Sequence, residues 1–357
     1  MRRPPHLQLL TKYPATGGLA LMAAAVTLMW VAGRDVSPLV VSPQISYGEP
    51  WRLLTSILPH IDIIHILFNL YWLWALGSLI EEVWGPFRTL CIFLALAIGS
   101  SAAEFAVGVG GVGLSGVVYG LFGMLWVLTH NHRRFYLVID RQTTQLFVGW
   151  FFLCIVLTWS GTLNVGNVAH GSGAVLGFLL GKAISHRSIE RRQLFATTLA
   201  AATLLAVAGA TVARPYINRS PEAAEEVADF GYEAIENRDY KLAASAYERA
   251  VLMNAHEANW WHNLGAARQH LNRLEEALSA FKRSTALDPD DPLHLYAVAF
   301  VCKKLGRSGE ADHAFNRAHR LDQGDAEDGT LHTPNGEVGA PQAIESDKKR
   351  NESADPP

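Results

Sequence analysis

Gly113-Leu114-Ser115-Gly116-Val117-Val118-Tyr119-Gly120-Leu121-Phe122-Gly123-Met124-Leu125-Trp126-Val127-Leu128 holds no charged residue, and its glycines recur at every third or fourth place. Such a run reads as a helix for a dry environment whose backbone can closely approach a neighbour. Residues 168–184 share the pattern, with Gly173, Gly177 and Gly181 following His170. Working outward, further apolar runs cover 17–33, 61–80, 89–109, 145–159 and 194–213. A spanning helix needs about 20 mostly apolar residues, so seven spans are expected, the fourth and fifth being short.

Charge divides the 357-residue chain in two. Residues 1–213 carry 13 Lys/Arg and 8 Asp/Glu, a net +5; residues 214–357 carry 17 and 25, a net −8. A membrane-embedded part precedes a soluble acidic one. This excludes a wholly cytosolic enzyme, a collagenous chain and a fully disordered one. Cys91, Cys154 and Cys302 are too scattered for a disulfide framework or a zinc cluster. No strong charge points to nucleic acid. The A-x-A match at 23–25 falls inside the first apolar run, so that run is read as a retained span. Arg2, Arg3 and Lys12 precede span one; Arg133, Arg134 and Arg141 follow span four; Lys182, Arg187, Arg191 and Arg192 follow or end span six. The positive-inside rule then puts the N-terminus inside, the long loop 34–60 outside, and everything after span seven outside. A multi-pass protein of a bacterial inner membrane is expected.

Residues 224–325 repeat every 34 residues. Phe230, Leu264 and Val298 are in register, as are Gly231, Gly265 and Ala299, then Ala243, Ala277 and Ala311, then Tyr247, Phe281 and Phe315. The period and residue types look like three tetratricopeptide repeats over 222–323, whose groove is expected to hold a protein partner or substrate. Residues 324–357 read as a disordered tail.

Polar side chains inside a membrane mark function by default. His65 and Asn69 sit four apart on one face of span two, Ser115 opens span four, and His170 lies near the outer end of span six. Glycine-lined contact between spans four and six would bring Ser115 and His170 within hydrogen-bond reach, the nucleophile–base pairing of acyl transfer. Backbone N–H groups around Leu114 and Ser115 lie at a helix N-terminus and favour an oxyanion, to which His65 and Asn69 would add donors. Residues 108–113 match G-x-G-x-x-G, but neither strand nor βαβ unit surrounds them. Val117 spoils the G-x-S-x-G elbow, and no H-E-x-x-H exists.

Trp51-Arg52, His65-x-x-x-Asn69 within Pro59-His60-Ile61-Asp62-Ile63-Ile64-His65-Ile66-Leu67-Phe68-Asn69, Gly113 to Gly120, and Ala169-His170-x-x-Gly173-x-x-x-Gly177 occur in order. Through these motifs the first 185 residues resemble the rhomboid intramembrane serine proteases. The resemblance implies an all-α six-helix core over 17–185 after a cytoplasmic segment at 1–16. It implies a Ser115–His170 dyad with no third acid, and an oxyanion hole from His65, Asn69 and the Ser115 backbone. It further implies Tyr119 packed on the His170 ring, close substrate approach at Gly113, and Phe68 facing a lateral opening. Arg52 and Glu81 are expected to pair, tying the first loop to the end of span two. Single-span membrane proteins would be the substrates, and no metal or organic cofactor is expected. The linker and seventh span over 186–213, and the repeats, depart from that core. Competing readings are a catalytically silent membrane-anchored scaffold and a membrane esterase or thioesterase using the same dyad.

Overall fold

The computed structural model describes residues 11–323 and Ala343; the first ten residues and, Ala343 apart, the expected tail lie outside the described residues. Among the described residues every regular element is helical. Two compact units divide the chain, Met1–Ile217 and Asn218–Pro357.

In the first unit seven long helices follow one another. They are α1 Pro14–Val31, α2 Ile63–Trp84, α3 Pro86–Val107, α4 Ser115–Asn131, α5 Arg141–Trp159, α6 Asn167–Ser185 and α7 Ile189–Ala210. All but α4 are long and apolar enough to cross a membrane on their own. At 17 residues α4 measures about 26 Å, short of a full span. Thirteen of those residues are buried, so protein rather than lipid surrounds it and a shorter helix suffices. Glycine explains its position. A Cβ on Gly173 would overlap the Gly116 carbonyl, and one on Gly177 the Gly120 carbonyl. On the opposite side a Cβ at Gly120 would come within 2.6 Å of Leu96 in α3. Thus α4 is held between α3 and α6 at backbone-contact distance. Ile92, Phe93 and Leu96 of α3, Leu121 and Leu125 of α4, and Leu176 of α6 form the buried core around it.

Helix α2 contains a π turn at Leu73–Gly77, where Gly77 rests on Phe93 and Thr16. Helix α7 lies at the edge of the unit, with Gly209 and Ala210 its buried residues, and packs on α3 and α6. One expected contact is corrected. Arg52 does not pair with Glu81. It donates to Glu49 Oε2 at 2.6 Å and to the carbonyls of Ser37 and Val40 at 2.6 and 3.0 Å. Glu81 instead accepts the N–H groups of Ala15 and Thr16, both at 2.8 Å, and the Thr16 hydroxyl. The reason is reach: Glu81 stands beside the start of α1, one helix length away from the loop that carries Arg52. Arg52 therefore closes the first loop on itself, while Glu81 caps α1.

In the second unit six helices form three antiparallel pairs: α8 Pro221–Glu236, α9 Tyr240–Met253, α10 Ala258–His270, α11 Leu274–Leu287, α12 Pro292–Lys304 and α13 Ser308–Asp322. Small residues sit where paired helices touch: a Cβ on Gly231 would meet Tyr247 at 3.0 Å, and one on Gly265 would meet Phe281 at 2.7 Å. Ser220, Asp239 and Asp291 cap α8, α9 and α12 by accepting from Ala223, Leu242 and Leu293 N–H.

Candidate active site

Chain entering α2 first positions two of the polar residues. Asp62 caps the helix by accepting the His65 N–H at 2.8 Å. One turn on, buried Asn69 donates Nδ2 to the His65 carbonyl at 3.0 Å, which leaves Asn69 Oδ1 without a partner. The two side chains therefore share a face, with His65 Nδ1 also buried and unbonded.

The glycine-rich loop 108–113 brings the chain to α4. Gly113 adopts φ +112, and a Cβ there would lie 2.8 Å from the His65 ring, so only glycine lets the loop pass under that imidazole. Its N–H donates to the Ser56 carbonyl at 3.0 Å. The next N–H, of Leu114, donates to His60 Nε2 at 3.2 Å. Leu114 was expected among the oxyanion donors; here its N–H is taken by a histidine the sequence reading passed over. His60 Nδ1 lies 3.0 Å from the Leu58 carbonyl, so Nδ1 carries the proton and Nε2 accepts. Burial, with the His65 ring beside it, pushes His60 down to about 4, which keeps it neutral. No side chain caps α4, so the N–H groups following Leu114 remain at the positive end of its dipole.

Ser115, half-buried, is the first residue of α4. His170, buried, stands one turn into α6. The contact of Gly116 with Gly173 brings these two helix starts together. The Tyr119 ring stacks on His170 with centroids 4.6 Å apart and planes 21° from parallel, while its hydroxyl donates to the Phe147 carbonyl at 3.1 Å. His170 Nδ1 is buried with no hydrogen-bond partner, and no bond closes between Ser115 Oγ and the imidazole. Catalytic hydrogen bonds are often open until substrate arrives.

Glu104 was also missed. A carboxylate inside an apolar span was signal enough. From the last turn of α3 its Oε2 accepts the Ala169 N–H at 2.8 Å, capping α6 beside His170 from a different helix. Trp51 is half exposed on the first loop, and Phe68 stacks on Trp150 of α5 at 5.3 Å, where α2 and α5 face each other.

Comparison with known proteins agrees with this architecture. A rhomboid domain matches residues 47–187, and a tetratricopeptide repeat matches residues 258–291. Rhomboid protease GluP of Bacillus subtilis is 27% identical over 263 residues, covering 72% of this chain and 50% of that protein. Rhomboid protease GlpG of Pectobacterium atrosepticum is 30% identical over 187 residues, covering 50% of this chain and 66% of that one. The Haemophilus influenzae GlpG is 32% identical over 138 residues, covering 38% of this chain and 69% of that one. This chain thus spans from half to just over two thirds of the length of these relatives. Most of the Haemophilus protein aligns at that identity, and the rhomboid domain takes in the helices that carry Ser115 and His170: the chain is a multi-pass membrane protein that belongs to the rhomboid family.

Proposed function

We propose that this protein is an intramembrane serine endopeptidase. Ser115 attacks the scissile carbonyl while His170 accepts its proton, and His170 then returns that proton to the leaving amine. The acyl-enzyme is released by water. The developing oxyanion is held by the Ser115 N–H, by the second Asn69 Nδ2 hydrogen and by His65, the Leu114 N–H being engaged by His60. A substrate helix approaches laterally past Phe68 and Trp150. The substrates are single-span membrane proteins, reached from the lipid bilayer. Positive loop charges put the site and the repeats on the extracytoplasmic side, where the repeat groove holds a substrate ectodomain or partner.

One observation carries this reading: the glycine zipper of α4 and α6 sets Ser115 and His170 on touching backbones, with Tyr119 stacked on the imidazole. The test is a purified pair of variants. Ser115→Ala and His170→Ala should each abolish cleavage of a transmembrane substrate, with the double variant no worse, because nucleophile and base act as a unit. A fluorophosphonate should label wild type and not Ser115→Ala. Substantial proteolysis by Ser115→Ala would overturn the assignment and favour the scaffold or another nucleophile.

A further inference from the structure

The seventh helix lies outside the matched rhomboid domain, yet its end reaches the loop that leads to Ser115. In its last turn Ala206, Val207 and Ala210 join Val41 and Leu53 of the first outer loop and Phe105 of α3 in one apolar cluster. Directly after it, Arg214 opens a short helix, Arg214–Ile217, and is only 4% exposed. Its guanidinium carbon stands 3.8 Å above the centre of the Phe105 ring. Nε donates to the Phe105 carbonyl at 3.0 Å and Nη2 to the Gly108 carbonyl at 3.2 Å. Both acceptors lie at the C-terminal end of α3, where carbonyls lack helical partners and a cation is favoured.

Gly108 is also the first residue of the glycine-rich loop. Beyond it, Gly110 rests against Phe105 and Val41, Gly113 is bonded to Ser56, and Leu114 to His60. A loop so rich in glycine has no stiffness of its own, so its course is set by these ties. Arg214 makes the first of them, and it is supplied from beyond α6.

We propose that Arg214 is a positioning residue for the nucleophile: it fixes the start of the 108–113 loop, and through it the Ser115 N–H and Oγ, so that the seventh helix completes the catalytic unit. The inference rests on the serine protease reading above.

The experiment uses the purified full chain in detergent micelles, with Arg214→Gln, Arg214→Ala and Arg214→Lys. Three quantities are read: kcat and KM on a fluorogenic transmembrane peptide, the rate and endpoint of fluorophosphonate labelling of Ser115, and Tm. Misplacing a reacting group by about 1 Å costs up to about 100-fold. Arg214→Gln should therefore lower kcat about 10- to 100-fold and slow labelling in parallel, with KM within about 2-fold and a full labelling endpoint. Arg214→Lys should recover only part of the rate, because an ammonium lacks the fork that spans two carbonyls. A reduced endpoint and Tm with an unchanged rate per labelled molecule would make Arg214 purely structural and overturn the proposal. Wild-type rates in all three variants would do the same, as would failure of all three to fold. A Ser115→Ala protein that still cleaves would instead sink the underlying protease reading, so the two failures are distinguishable.

Discussion

Glu104 and His60 show how much of the site rests on residues that need not touch a substrate. Glu104 satisfies the Ala169 N–H at the open end of α6, immediately before His170. Removing a helix cap costs about 1 kcal/mol, and here the frayed turn carries the base. Glu104→Ala should therefore lower kcat by about 10-fold or more with Ser115 still present, whereas Glu104→Gln, which keeps an acceptor, should lose much less. Equal activity of both variants and wild type in a peptide-cleavage assay would remove Glu104 from the site. Asn69 makes a sharper case for the oxyanion. Its Nδ2 already serves the His65 carbonyl and has one hydrogen to spare. Asn69→Ala should cut turnover by about 100-fold or less, since the backbone donor stays. Steady-state kinetics showing an unchanged kcat would move the oxyanion elsewhere.

Among the elements, α4 and α6 tolerate least. A methyl on Gly177 would meet the Gly120 carbonyl, so Gly177→Ala forces two backbones apart along their whole contact. Overpacking of this kind typically costs about 1–3 kcal/mol, and it separates Ser115 from His170 as well. Thermal unfolding and cleavage measured on one preparation should both fall; a fully active Gly177→Ala would contradict the zipper. In the repeats the sensitive element is α12. His294 is wholly buried, its Nδ1 is 3.1 Å from His262 Nδ1, and burial holds it below the ordinary histidine range. The unfolded chain then binds the proton more readily than the folded one. Stability contributed by a neutral His294 is complete above about pH 6.5 and is lost as pH falls below it, by at most about 1.4 kcal/mol per unit. Hydrogen exchange corrected for intrinsic rate should show Pro292–Lys304 losing protection between pH 7.5 and 5.5. No change in protection over that interval would remove His294 as the cause.

At the level of the whole molecule, the question is which side of the membrane the repeats occupy. The proposed inside N-terminus, followed by seven spanning helices, would put them outside, and α7 is the helix on which that proposal turns. A cysteine at exposed Asp290 is the reporter, in a background with Cys91→Ser, Cys154→Ala and Cys302→Ala. Asn272 is less suitable because its φ of 60° is the left-handed region, which asparagine tolerates better than cysteine. A membrane-impermeant maleimide should label intact cells. Labelling only after permeabilisation would put the repeats in the cytoplasm, with no direct route to an outer substrate.

Spans, repeats and the residues Ser115, His170, His65 and Asn69 were legible in the sequence because their signals are local: apolar run length, a 34-residue period, and polar groups isolated in apolar helices. Spacing of three or four glycines even anticipated which helices would touch, since close approach is written into both partners. What joins distant segments was not legible. Glu104 to Ala169 spans 65 residues, His60 to Leu114 spans 54, and Arg214 to Phe105 spans 109. Arg52 was expected to pair with Glu81, and its bond to Glu49 instead depended on which end of the bundle each carboxylate occupies. A carboxylate or guanidinium has no periodicity that names its partner. Only the folded bundle decides which unsatisfied N–H or carbonyl lies within its reach.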